Sequence, residues 1–184
     1  NYIVNHAEDR LIFVDLPFVE LVEQLQDNLT TVKSYVVMTD ETHMPETKLE
    51  NAVVYETLIA EEPGTYDWPE FDENTAASLC YSSGTTGNPK GVLFSHRSTV
   101  LHSFSICHAD ATFALSSRTT VLPVVPMFHV HAWGIPYGAT MSGSKLVFAG
   151  AKLDGESLYE LFEAERASIT AGVPTVWLGL LDYL

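Results

Sequence analysis

The segment that decides the fold is a glycine- and hydroxyl-rich stretch, Tyr81-Ser82-Ser83-Gly84-Thr85-Thr86-Gly87-Asn88-Pro89-Lys90-Gly91-Val92. Glycines let the backbone turn tightly and bring its N–H groups close to a ligand. Hydroxyl groups add hydrogen-bond donors without charge, and Lys90 supplies a positive charge that suits phosphate oxygens. The composition therefore indicates a loop that cradles a polyphosphate.

Composition alone leaves a second interpretation of this segment open. A plain turn is the alternative, since Gly, Ser, Thr and Asn-Pro are common in turns. The segment is not a Walker A loop, because Gly91 follows Lys90 where that motif has Ser or Thr, and because the spacing from Gly84 differs.

Helix-like and strand-like segments alternate on both sides of the loop. Apolar runs typical of strands occur at residues 11–14, 31–38, 76–81, 92–94, 121–125, 146–148 and 169–171. Helical patterns occupy residues 17–25, 55–60, 95–104, 129–141 and 154–163, and another begins at residue 174. The alternation predicts an α/β fold, layered, with a largely parallel sheet flanked by helices.

Three positions carry specific structural predictions. Ser95 should cap a helix. The residues that this helix should turn inward are Val100, Leu101 and Phe104. Pro123 should place its strand residues at the end or at the edge of a sheet. Asp154 should cap a later helix, whose inward residues are Leu158, Leu161 and Phe162.

Composition excludes several classes of protein. The 184 residues are 46% apolar and 11% aromatic, which argues against a disordered chain. The net charge of −15 argues against nucleic acid as a partner. There is no run of 18 apolar residues to form a transmembrane segment. Two cysteines form no disulfide framework, so we expect a cytoplasmic location.

The acidic residues are unevenly distributed. Residues 1–75 hold 17 acids and 3 bases, residues 76–153 hold 1 acid and 5 bases, and residues 154–184 hold 6 acids and 1 base. Either acidic loops solvate the flanks, or the middle avoids carboxylates because an anion binds there. Charge alone does not decide between these two.

The order of residues in the loop closely resembles the phosphate-loop signature of the adenylate-forming (AMP-binding) superfamily. Two further segments are similar to segments of medium- and long-chain fatty acyl-CoA synthetases: residues 121–133 (VLPVVPMFHVHAW) and residues 170–175 (TAGVPT). Residues 5–10 show a looser similarity to the same group. The resemblance implies a ligase in which a fatty acid carboxylate attacks the α-phosphate of ATP. Pyrophosphate leaves, and coenzyme A then displaces AMP from the acyl-adenylate.

The resemblance also implies roles for individual residues. The residues that it assigns to the phosphates of Mg-ATP are Ser82, Ser83, Gly84, Thr85, Thr86, Gly87 and Lys90, with Thr85 or Thr86 also reaching the magnesium ion. It places His129 beside the carboxylate or acyl-adenylate, where it orients groups, and it transfers nothing to His131. The cofactors and co-substrates implied are ATP, Mg and coenzyme A.

The acyl pocket is expected in the segment after the loop. Residues 111–153 contain no Asp or Glu to pair with an amino-acid ammonium. The candidate substrate-binding residues are Phe128, His129 and Trp133. For Phe128 and Trp133 a role in the core is the open alternative, and Ile135 and Met141 are assigned to the core.

The remaining histidines suggest a different class of enzyme. A metal hydrolase could use the ligands His129, His131, His96, His102 and Asp110. The competing interpretation is a surface or hydrogen-bonded core position for His6, His43, His96, His102 and His108.

We expect residues 1–184 to be a single fragment of the AMP-binding domain, with residues 1–75 as an acidic α/β portion and 76–184 as the phosphate-loop and acyl-pocket portion. The family's adenine, ribose, hinge and catalytic-lysine motifs are absent from these residues, so we expect no turnover by the isolated chain. The partners expected are a fatty acid, ATP, coenzyme A and a second copy of the chain. A ligase for an aryl or other acid and a non-catalytic nucleotide-binding module are the alternatives.

Overall fold

The computed structural model describes residues 1–82 and 87–184. The chain forms two compact units, Asn1–Glu70 and Phe71–Leu184, and each is described by itself. Mixed helices and parallel strands occur in both units, so the predicted α/β class is confirmed.

The first unit contains a parallel sheet of three strands in sequence order. Its strands are β1 (Leu11–Val14), β2 (Ser34–Val37) and β3 (Ala52–Val54), and its helices are α1 (Tyr2–Ala7), α2 (Val19–Leu25) and α3 (Tyr55–Ala60). Pro17 lies in a short 3-10 turn, Leu16–Phe18, that leads into α2. The core comprises Val14, Val19, Leu29, Tyr35, Val37 and Leu49. After α3, residues 61–75 are exposed.

The second unit begins with an antiparallel hairpin. Its strands are β4 (Ala76–Ser82) and β5 (Lys90–Ser95). Ser82 and Lys90 are direct partners in the register, so they mark the two ends of the glycine-rich loop.

A second parallel sheet follows, in the order β7-β6-β8. Its strands are β6 (Thr120–Pro123), β7 (Lys145–Leu146) and β8 (Ile169–Ala171). The prediction that Pro123 marks a strand end or an edge is confirmed by the strand end: β6 is the central strand, and Pro123 is its last residue. Pro123 is tolerated because the ladder continues one residue later, where the Val124 N–H donates to the Ala171 carbonyl at 2.7 Å.

Five helices surround these strands. They are α4 (His96–Cys107), α5 (Val130–Trp133), α6 (Ile135–Ser142), α7 (Gly155–Glu165) and α8 (Pro174–Tyr183). Both predicted caps are confirmed: the Ser95 hydroxyl accepts from the Ser98 N–H at 3.1 Å, and the Asp154 carboxylate accepts from the Ser157 N–H at 2.9 Å. Among the described residues, no helix has the length and apolar content needed to cross a membrane.

The inward face predicted for α4 is wrong. Val100, Leu101 and Phe104 are 47%, 53% and 62% exposed, and the buried residues of α4 are Ser103 and Ile106. Ser103 can be buried because its hydroxyl donates to the Thr99 carbonyl at 2.8 Å. Ile106 faces α6, where a methyl group added at Gly138 would lie 2.4 Å from the Ile106 Cδ1. The small Gly138 of α6 therefore leaves room for Ile106 to pack closely against that helix.

Candidate functional site

The hairpin holds the two ends of the predicted phosphate loop together. Ser82 ends β4 and Lys90 begins β5, both exposed, and Gly87 has a φ of +89° with open space around it. The positions predicted for phosphate and magnesium at Ser83, Gly84, Thr85 and Thr86 lie outside the described residues, so these roles stay predictions.

Lys90 is available to an anionic ligand. In the described parts of the chain, no carboxylate forms an ion pair with its ammonium. Its paired position opposite Ser82 puts one cation and one hydroxyl at the mouth of the loop. This donor set fits phosphate oxygens.

An unusual backbone turn lies 40 residues further along the chain. Residues 130–134 all have positive φ: 47° at Val130, 52° at His131, 48° at Ala132, 56° at Trp133 and 73° at Gly134. Helix α5 is therefore one left-handed turn, a conformation that costs L-residues about 1–2 kcal/mol each. The helix predicted at 129–141 is right-handed only from Ile135 onward.

Three contacts hold this left-handed turn. Ala132 is fully buried in the core of the second unit. The His131 Nε2 lies 3.3 Å from the Cys80 Sγ, next to the loop end of β4. The His102 Nε2 donates to the Trp133 carbonyl at 3.0 Å, and because a carbonyl only accepts, the proton is on Nε2. Anchors of this kind are needed where the backbone is strained.

Two cavities adjoin the turn. The small cavity, of about 500 Å³, has the apolar lining residues Phe94, Val130, Trp133 and Tyr137. Its polar lining residues are Ser98, Thr99, His102 and His131. The large cavity, of about 780 Å³, includes Ile106, Asp110, Phe113 and Trp177 in its wall. His102 and Trp133 line both cavities.

The predicted substrate residues are only partly brought together. Trp133 lines both cavities, but Phe128, which is 80% exposed, and His129, also exposed, line neither. The roles assigned to Phe128 and His129 stay predictions.

Sequence analysis assigned His102 to a surface or core position, or to the alternative metal site, and did not place it at a substrate cavity. Its signal was the spacing of Ser98 and His102, four residues apart on α4, which puts two polar side chains on one helix face. That face lines the small cavity.

The histidines do not assemble the alternative metal site. Among residues 1–82 and 87–184, no three His, Cys, Asp or Glu side chains lie close enough together to hold a metal ion. His131 contacts Cys80 and the ring of Phe94, and His102 bonds to the Trp133 carbonyl. The described geometry therefore does not support a metal hydrolase.

In sequence the chain is similar to known acid–CoA ligases. The chain is 51% identical over 180 residues to a medium-chain-fatty-acid–CoA ligase of Ectopseudomonas oleovorans and 52% identical over 180 residues to a 3-methylmercaptopropionyl-CoA ligase of Ruegeria pomeroyi. In both cases the match covers 98% of this chain and 33% of the relative, so the chain spans about a third of their length.

The fold also matches solved structures. A long-chain-fatty-acid-CoA ligase from Archaeoglobus fulgidus has a TM-score of 0.81 at 20% identity, over 98% of this chain and 33% of that one. Residues 1–184 match the family described as AMP-binding enzyme. The chain therefore belongs to the AMP-binding enzyme family.

Proposed function

We propose that this chain is part of an AMP-forming acid–CoA ligase that activates fatty acids with ATP and transfers them to coenzyme A. One observation carries the proposal: β5 begins at Lys90 and contributes Phe94 to the small cavity. Four residues of strand span about 13 Å, so a cation for phosphate and an apolar pocket lie on one rigid element. The similarity to fatty-acid–CoA ligases supports the same conclusion.

The residues at the phosphate loop and those in the small cavity have different tasks. Ser82 and Lys90 bind phosphate oxygens, and Lys90 offsets their negative charge. Phe94 and Tyr137 hold the alkyl chain and exclude water from it. Holding the carboxylate and the phosphate in one geometry makes up much of the catalysis in such a reaction. Magnesium, when bound, would neutralise phosphate charge, and Thr85 or Thr86 is the predicted protein ligand.

A second substrate class is favoured by one specific observation. The relative at 52% identity is a 3-methylmercaptopropionyl-CoA ligase. A short thioether acid is therefore the alternative to a medium or long fatty acid, and the reaction itself is the same in either case.

The test is acid-dependent exchange of labelled pyrophosphate into ATP by the full-length enzyme that carries this chain. The panel is octanoic, tetradecanoic, 3-methylmercaptopropionic and benzoic acids. We expect exchange with the two fatty acids. Exchange only with the thioether acid or benzoic acid would keep the reaction and overturn the substrate, and no exchange with any acid would favour a non-catalytic nucleotide-binding module.

The Lys90→Ala variant tests the role of the loop. Loss of one charged hydrogen-bonding group should lower the exchange rate by about tenfold to a hundredfold. Lys152→Ala is the matched control, because Lys152 is exposed and lies in neither the hairpin nor the cavities. Equal rates for the two variants would contradict the role of Lys90.

A further inference from the structure

Two residues lie where the two cavities adjoin. His102 and Trp133 line the small and the large cavity alike, so they form the shared wall. Trp133 comes from the left-handed turn and His102 from α4. The hydrogen bond from the His102 Nε2 to the Trp133 carbonyl, at 3.0 Å, joins the two halves of this wall.

The contact between the two halves is close. A methyl group added at Gly134 would lie 2.4 Å from the His102 Cδ2 and 2.8 Å from its Nε2. The imidazole therefore rests directly on the backbone of the turn, where glycine leaves it room. Since the left-handed turn is strained, a bond at its last peptide restricts where Trp133 can go.

The chemistry of the two cavities differs. The small cavity is walled by Phe94, Val130, Trp133 and Tyr137, which suits an alkyl chain. The large cavity also has apolar lining residues, among them Ile106, Phe113 and Trp177, but it adds Asp110. A carboxylate in the wall is unfavourable for alkyl groups that would have to displace its water. We therefore expect an alkyl chain in the small cavity to end at the wall.

We propose that His102 is a specificity-determining positioning residue: it fixes Trp133 in the wall and so limits the length of acyl chain that the small cavity accepts. This inference rests on the proposed function. His102 touches no reacting atom in this role, because it acts through the backbone of the turn.

The experiment compares chain-length profiles in the full-length enzyme that carries this chain. Pyrophosphate exchange is measured for acids from butanoic to hexadecanoic with wild type, His102→Ala, His102→Ser and His102→Gln. For the Ala and Ser variants we compare kcat/KM for the longest acids with kcat/KM for the acid that wild type prefers. We expect this ratio to rise by about tenfold, because one methylene group in an apolar pocket has an effect of that size. The gain should appear mainly in KM. His102→Gln can still donate to the carbonyl, so it should keep the wild-type profile.

The control is a second histidine of α4. His96→Ala removes an imidazole from the same helix but from neither cavity, and it should leave the profile unchanged. A uniform loss for every acid in the Ala and Ser variants would indicate a merely structural role and overturn the inference. An unchanged profile would do the same while leaving the proposed function intact. Absence of exchange by wild type with every acid would instead contradict the proposed function.

Because His102 is exposed on α4, its replacement removes no core packing. Thermal unfolding of each variant, with wild type beside it, shows whether a change in profile comes from a folded enzyme. The two small replacements, Ala and Ser, keep the test valid if one of them folds poorly.

Discussion

Asp40 is the residue whose protonation depends most clearly on the fold of the first unit. Its carboxylate accepts hydrogen bonds from the Thr42 hydroxyl at 2.6 Å and from the N–H groups of Thr42 and His43 at 2.8 and 3.0 Å. The Thr42 hydroxyl, followed by the His43 side chain, lowers the pKa of Asp40 to about 2. A folded pKa below the unfolded value means that the ionised form stabilises the fold.

This shift predicts a pH window for stability. The contribution of Asp40 should be complete above the unfolded pKa of about 3.9 and should disappear as the pH falls to about 2. Asp40→Asn should therefore unfold at a lower temperature than wild type at about pH 5, and the gap should close near pH 2. Thermal melts across this range check it.

Asp67→Asn is the control for that experiment. Its carboxylate is exposed, and within the described residues it accepts no hydrogen bond. The variant should follow the wild-type curve at every pH. A gap between wild type and Asp40→Asn that stays constant down to about pH 2 would contradict the assigned cause.

At the scale of elements, the left-handed turn at residues 130–134 makes the sharpest stability prediction. Gly134 has a φ of +73°, and a Cβ there would meet the His102 ring at 2.4 Å. Gly134→Ala should therefore destabilise the protein by about 1–3 kcal/mol, from backbone strain and overpacking together. The free energy of unfolding in urea is the measurement.

Two further variants separate the causes. Gly179→Ala, inside α8 with open space at its Cβ, should stabilise by about 0.5–1 kcal/mol because alanine favours the helix. Adding His102→Ala to Gly134→Ala should recover the overpacking part and leave the strain. Purely additive effects of the two substitutions would show that the methyl group added at position 134 does not meet the His102 ring as described.

The sequence predicts elements well where a local signal exists. Ser95 and Asp154 mark helix starts because their side chains bind the first free N–H groups, a purely local interaction. The left-handed turn has no comparable signal, since only Gly134 among its residues favours positive φ. The central position of β6 is a matter of strand order, which is a property of the tertiary fold. The burial of Ser103 likewise depends on how α4 packs, with Ile106 opposite the small Gly138 of α6.

The site follows the same division. The roles of Ser82 and Lys90 are predicted from the order of residues in one loop, and that of Trp133 from one similar segment. The wall between the cavities joins α4 to a turn 31 residues away, through the bond between His102 and Trp133. The spacing of Ser98 and His102 places them on one face of α4, but no local pattern predicts which residue that face contacts.

At the scale of the whole molecule, the division into two units makes the last prediction. Residues 61–75 are exposed throughout, and Glu61, Glu62 and Glu70 lie among them. Brief digestion by a glutamyl endopeptidase should therefore cut there before it cuts within β1–β3 or β6–β8, because exposed backbone is cleaved first. Mass spectrometry of the early products identifies the cut, and first cuts within those strands would contradict the boundary.

The exposed segment between the units also has a practical consequence for separating them. Asn1–Glu70 holds 15 acids and 3 bases, and Phe71–Leu184 holds 9 acids and 6 bases, so the formal charges are −12 and −3. On an anion-exchange column the smaller piece, which carries more negative charge, should elute at much higher salt than the larger one. A single cut after Glu70, followed by one salt gradient in urea, should therefore separate the two pieces without a tag.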